Sequence, residues 1–291
     1  FLSSSDDPDP ESFRKDSLTI LGVPAAEVEE HFASFVTILS HLSDDASLSA
    51  ARSFAGTSSS VSGSSDSPLS VALRGMSRLF RLVEAKQQSD VESGIYEKMT
   101  DIVTRYLYDP NSPYRSEELY LPYVEGLASS PLTRPEMVPA YRHDVEMCSM
   151  NRIGTPAADF KFKDIAGRTR SLYDVKADYT LLFFSNPGCE ACRDIIETIK
   201  GNLGLEYMIS SGKLAVVNVY IDEDIDTWKS YQSYYPTTWF NGYDPTYSIR
   251  QDIKYNVRAI PSLYLLDSGK RVIMKDAHEA RIFEYLNAAR R

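Results

Sequence analysis

Two cysteines, two residues apart, hold the clearest chemistry in this chain. They lie in Ser185-Asn186-Pro187-Gly188-Cys189-Glu190-Ala191-Cys192-Arg193. An apolar run, Tyr179 to Phe184, leads in, and a helical pattern with Ile195, Ile196 and Ile199 on one face leads out to a stop at Gly201. Strand, tight turn, Cys-x-x-Cys and helix together suit thiol–disulfide exchange. Cys189 falls at the helix N-terminus, where free N–H groups favour thiolate over thiol. Cys192 follows about one turn later, close enough to close a disulfide. Pro187 and Gly188 interrupt the strand and let Cys189 project. Glu190 has three open readings: an acid opposing the helix-dipole effect, a relay for the Cys192 proton, or an exposed helix-start residue.

A Cys-x-x-Cys pair also serves as half of a zinc site, but zinc needs two more ligands. Cys148 and the scattered His31, His41, His143 and His278 form no second pair, so no metal is expected. A purely structural disulfide is the other alternative, although such short loops are more often reactive than stapling. No other cofactor is implied.

The 291 residues suffice for two domains. With 43% hydrophobic and 25% charged residues the chain is globular in composition, and no apolar run approaches a membrane span. A net charge of -10 without a Lys/Arg cluster argues against nucleic acid and anionic membranes as partners. Cys148 reads as a small buried side chain late in a helix, with a redox role left open. The start at Phe1 and the polar run Ser3 to Pro10 read as a trimmed N-terminus, any export signal or lipid anchor having been removed upstream.

The elements that must position the cysteines fall into two grammars. Residues 1–10 read as a disordered lead and 11–21 as a short helix. Pro24 opens a helix carrying Val28, Phe32, Phe35, Val36, Leu39 and Leu42, and a second short one is expected over 46–54. Gly56 to Ser67 is a Ser/Gly-rich loop. Pro68 starts the next helix, Ser89 and Glu92 read as a capping box for another, and further helices follow over about 116–129 and 134–150. Residues 1–152 are thus an expected all-α domain, with Met and aromatic stripes that read as core.

From Gly154 the periodicity changes. Phe160 to Phe162 and Thr169 to Leu172 form a hairpin, 179–185 and 213–221 are buried strands, and Asp222 to Asp226 is a helix-capping loop rather than a calcium site. Tyr231 to Tyr247 is expected to cover the sheet edge or border the active site. Pro261 leads into a strand, Ser268-Gly269 turns, Val272 to Met274 returns, and 277–289 closes as a helix. Residues 153–291 are therefore an α/β domain with a mixed sheet flanked by helices.

Three separated pieces resemble thioredoxin-like domains of envelope thiol–disulfide oxidoreductases: Gly154-Thr155-Pro156-Ala157-Ala158-Asp159-Phe160, Cys189-Glu190-Ala191-Cys192 and Ala259-Ile260-Pro261-Ser262. The N-terminal half, above all Tyr106 to Arg115, resembles a bacterial helical domain of unknown function fused ahead of such domains. The resemblance implies a cis Pro261 opposite the cysteines, with the Ile260 backbone and Pro261 contacting substrate. Two departures matter. Gly188 stands where a tryptophan is common, and Phe183 stands where thioredoxin has a buried acid, which removes a proton acceptor for Cys192. Asn186 and Leu182 occupy positions where peroxiredoxins need Thr/Ser and Pro, which disfavours a peroxidase.

The expectation is a thiol–disulfide oxidoreductase using Cys189 as nucleophile and Cys192 as resolving thiol. The family resemblance implies the periplasm or an outer-membrane-anchored envelope location, a disulfide-containing protein substrate, an envelope redox donor or acceptor, and a lipid anchor upstream of the given chain. The alternative is an envelope binding or scaffold protein with a thioredoxin fold and little turnover.

Overall fold

A computed structural model describes residues 19–54 and 67–290. The expected disordered lead, most of the 11–21 helix and the Gly56 to Asp66 loop lie outside these residues. Within 11–21, Thr19–Ile20 is a short strand (β1) paired with Val23–Pro24 (β2), so the helix reading fails there.

The first half is helical. α1 spans Ala25–Phe54 as one helix, correcting the expected separate helix over 46–54. Residues 25–54 contain neither Pro nor Gly, so nothing in the sequence stops the helix there. α2 (Pro68–Ser89) begins as expected, with Pro68 in its first turn and the Ser67 hydroxyl accepting from the Ser70 N–H. The capping-box reading is corrected. Ser89 ends α2, and α3 (Ile95–Leu107) starts from Gly94, whose positive φ of 57° makes the corner. α4 (Glu117–Ser129) is capped by Ser116, and α5 (Val138–Ser149) ends this half. Their inward faces make one core, from Ile20 and Phe32 through Met76, Phe80, Val103 and Tyr123 to Cys148.

The second half is a seven-stranded sheet in the order β4-β3-β7-β6-β5-β8-β9. The strands are β3 (Lys161–Lys163), β4 (Thr169–Ser171), β5 (Tyr179–Phe184), β6 (Leu214–Tyr220), β7 (Phe240–Tyr243), β8 (Ser262–Asp267) and β9 (Val272–Met274). β5, β6 and β7 run parallel, and the pairs β3–β4, β3–β7, β5–β8 and β8–β9 are antiparallel. The parallel β5–β6 step needs a crossover, supplied by α6 (Glu190–Gly201) and α7 (Leu203–Ser210). Three more helices follow: α8 (Ile225–Ser230), capped by Asp224, α9 (Ser248–Gln251) and α10 (Glu279–Ala289).

Alternation along β5 builds two cores. Leu181 and Phe183 face the layer of α6, α7 and α10, whereas Leu182 and Phe184 face Phe160, Phe162, Ile249 and Tyr255. The aromatic stretch Tyr231 to Tyr247 does not only cover an edge: it contributes β7, an interior strand.

Candidate active site

β5 is flanked by β6 and β8 and buried along its length from Thr180. It delivers the chain to Ser185, whose N–H still bonds the Val219 carbonyl at 3.2 Å. The ladder then stops because Pro187 has no N–H to donate. Gly188 adopts φ +75°, a conformation costly for other residues, and the Cys189 N–H closes onto the Asn186 carbonyl at 3.3 Å. Cys189 thereby becomes the N-cap of α6, and its Sγ accepts from the Cys192 N–H at 3.1 Å. The two sulfurs form a disulfide with Cα atoms 5.2 Å apart.

The two cysteines differ in environment. Cys189 is half-buried, whereas Cys192 is 2% exposed. Cys192 sits in the core with Phe183, Ile195, Ile196 and Ile199. Burying each of those isoleucines contributes about 1.5–3 kcal/mol, which fixes the rotation of α6 about its axis and hence which sulfur faces out. Glu190 is exposed and only loosely paired with Arg193, at 3.7 Å.

Beneath the cysteine turn lies a chain of neutral polar groups that sequence reasoning missed. The Ser185 hydroxyl donates to Asn218 Oδ1, Asn218 Nδ2 donates to Asn241 Oδ1 at 3.1 Å, and Asn241 Nδ2 donates to the Pro236 carbonyl at 2.8 Å. Asn186 Nδ2 donates to Asp222, whose other oxygen pairs with Arg250 at 2.8 Å. Burial pushes the neighbouring Tyr235 hydroxyl up to about 12, so it stays protonated. The signal was available: Asn218 is a polar residue inside the apolar run of β6.

The antiparallel register Phe184↔Ser262 puts Pro261 level with Ser185, at the sheet end from which the cysteine turn leaves. The Ile260–Pro261 bond is cis, and Ile260 and Cys189 pack against the same core. The loop is fastened by a buried ionic node unseen in the sequence. Arg258 Nε bonds Glu117 Oε1 at 3.1 Å, Arg258 Nη2 pairs with Asp276 at 3.0 Å, and a further N–H meets the Tyr108 carbonyl while the guanidinium lies 4.2 Å from the Tyr108 ring centroid. Asn256 Nδ2 donates to Glu117 at 2.8 Å, and Ser262 Oγ to Asp276 at 2.8 Å. Lys275 Nζ lies 2.7 Å from Glu117 Oε2, an ion pair outside hydrogen-bond angles. Burial holds the Asp276 carboxyl above its ordinary range, with Arg258 opposing. Tyr108 and Glu117 belong to the helical half, so that half grips the strand end carrying Pro261.

Cys148 is fully buried and burial pushes its thiol up, which keeps it protonated and a poor nucleophile. Among the described residues no three His, Cys, Asp or Glu side chains converge to hold a metal ion, and no helix is long and apolar enough to cross a membrane.

No family model matches the chain. Over 130 residues it is 32% identical to Thioredoxin-like protein YneN of Bacillus subtilis (strain 168), covering 43% of this chain and 70% of that protein. The crystal structure of a thioredoxin-like protein from Bacteroides caccae ATCC 43185 superposes with a TM-score of 0.68 at 38% identity, covering 74% of this chain and 76% of that one. That coverage is more than residues 153–291 can supply, so the likeness reaches into the helical half. The C-terminal domain of an uncharacterized protein from Bacteroides fragilis NCTC 9343 is 41% identical over 47% of this chain and 97% of its own, with a TM-score of 0.46. With the cysteine turn, the Pro261 strand end and the mixed sheet in place, the chain belongs to the thioredoxin-like family.

Proposed function

We propose that the chain is a thiol–disulfide oxidoreductase acting on disulfide-containing proteins. The observation that carries this reading is the asymmetry of the pair: Cys189 half-buried at a helix N-cap, Cys192 2% exposed behind it. In the reducing direction the Cys189 thiolate attacks one sulfur of a substrate disulfide. The Cys189–substrate bond forms as the substrate bond breaks, and the leaving sulfur takes a proton. Cys192, deprotonated, then attacks Cys189, closes the 189–192 disulfide and releases the second substrate thiol. Two electrons pass from the pair to the substrate, and oxidation is the reverse. The Ile260 backbone and Pro261 bound the position where an extended substrate segment lies. Pro187 and Gly188 shape the turn, and Glu190 places negative charge near the thiolate.

The two-unit division at 152/153 is part of the proposal, supported by separate cores drawn from residues 20–148 and 157–286. The periplasmic or outer-membrane-anchored location, the upstream lipid anchor and the envelope redox partner rest on the family resemblance alone.

After reduction, iodoacetamide at neutral pH is expected to label Cys189 first. Cys189→Ser is expected to abolish disulfide reduction, and Cys192→Ser to accumulate a mixed disulfide. Labelling of Cys192 first would sink the assignment. Turnover no faster than free dithiothreitol would favour the scaffold reading.

A further inference from the structure

A cleft of about 310 Å³ opens beside the cysteine helix. The Ile260–Pro261 strand end forms its floor, and its walls include Asp194 of α6 and Pro110 and Asn111 of the helical half. Its size falls at the lower end of ligand sites, enough for a short piece of chain.

The charges at this cleft are unequal. Arg115 lies at its base, but its guanidinium is 7% exposed as a residue and is turned inward. Nε donates to the Asp276 carbonyl at 3.1 Å, Nη2 to the Ala277 carbonyl at 3.3 Å and Nη1 to the Ser112 carbonyl at 3.4 Å. It acts as a strut holding the helical wall to the strand end. Asp194 is exposed, and no cation pairs with it among the described residues. Glu279 Oε2 lies 3.3 Å from His278 Nδ1, a nitrogen that the Ala280 N–H also faces at 3.3 Å, and Glu279 pairs with no Lys or Arg among the described residues. The cleft therefore presents two carboxylates, neither paired with a Lys or Arg among the described residues, in a chain of net charge -10.

We infer that the helical half completes a substrate cleft selective for an extended segment with Lys or Arg close to the reacting cystine. The inference rests on the thiol–disulfide reading above and names the substrate class for that site. A basic side chain of the segment meets Asp194 or Glu279, and Pro110 and Asn111 of the helical half bound the same cleft. This assigns the helical half a part in substrate choice.

The test uses the full chain and two synthetic peptides, each with one intramolecular disulfide and differing only in Lys-Lys or Glu-Glu flanks. An exposed ion pair shifts an equilibrium by about threefold, the middle of its usual range, so two set an expected kcat/KM preference of about tenfold for the basic peptide at low salt. The preference is expected to shrink toward unity in strong salt. The pair Asp194→Lys with Glu279→Lys is expected to reverse it, and Asn111→Arg to reduce it. Equal turnover of the two peptides by the unaltered chain overturns the inference while leaving the oxidoreductase reading standing. So does a preference that survives the double charge reversal. Turnover of neither peptide overturns the oxidoreductase reading, and this inference with it.

Discussion

Glu117→Gln tests the node that joins the two halves. The carboxylate is fully buried and faces two cations, Arg258 with 12% and Lys275 with 1% of their side chains exposed. With Asp276 opposite Arg258, the four charges sum to zero, and the substitution leaves one positive charge stranded. Removing one partner of a buried pair costs about 3–5 kcal/mol. Several contacts survive: a glutamine oxygen still accepts from Asn256 or Arg258, Arg258 keeps Asp276, and Lys275 keeps the Cys148 carbonyl at 2.9 Å. The expected loss is therefore the lower end, about 3 kcal/mol, or a melting shift of about 6 °C or more at 2 °C per kcal/mol. The measurement is calorimetry on the oxidised protein at pH 7, alone and in a cycle with Lys275→Met. The double variant restores charge balance and should recover part of the loss. A melting point within about 1 °C of the parent, or a coupling below about 0.5 kcal/mol, would refute the claim that these charges act together.

Two further outcomes are expected. Gly126→Ala, which normally favours a helix, should here destabilise by about 1–3 kcal/mol in urea unfolding. Its new Cβ would lie 2.4 Å from the Phe80 ring, and that ring is held edge-on by Tyr123 at 5.3 Å. No loss would mean that Phe80 can move. Lys270 is buried with its ammonium 2.8 Å from the Thr180 hydroxyl, and desolvation holds its pKa below the ordinary 10.5. The folded chain therefore releases this proton at lower pH than the unfolded chain. Stability from this group should rise with pH up to the unfolded value, a slope that Lys270→Met should remove in pH-dependent unfolding.

What was legible in the sequence was what short-range pattern encodes. β5 and β6 showed as apolar runs, α2 by Pro68, and the redox pair by a two-residue spacing that one helical turn can satisfy. Boundaries set by corners were harder. Gly94 starts α3 by its backbone conformation, which a Ser/Glu pattern five residues earlier mimicked. β7, Phe-Asn-Gly-Tyr, has neither alternation nor length, and is a strand because β6 and β3 pair with it from both sides. The neutral amide chain under the cysteines left one visible mark, Asn218 inside β6. The ionic node left none, because Glu117 and its partners share no local pattern.

That separation along the chain bears on how the protein is made. Asn256 and Arg258 follow Glu117 by 139 and 141 residues. Ribosomes add roughly 5–20 residues per second, so these partners emerge roughly 7–30 s after Glu117 does. The helical core, all from residues 20–148, can assemble in that interval with Glu117 still hydrated at its surface. The wall of the cleft is then built first and waits for its floor. A nascent chain halted anywhere before Asn256 would expose an acidic, half-made seam, open to whatever cation or chaperone reaches it before the chain's own arginine.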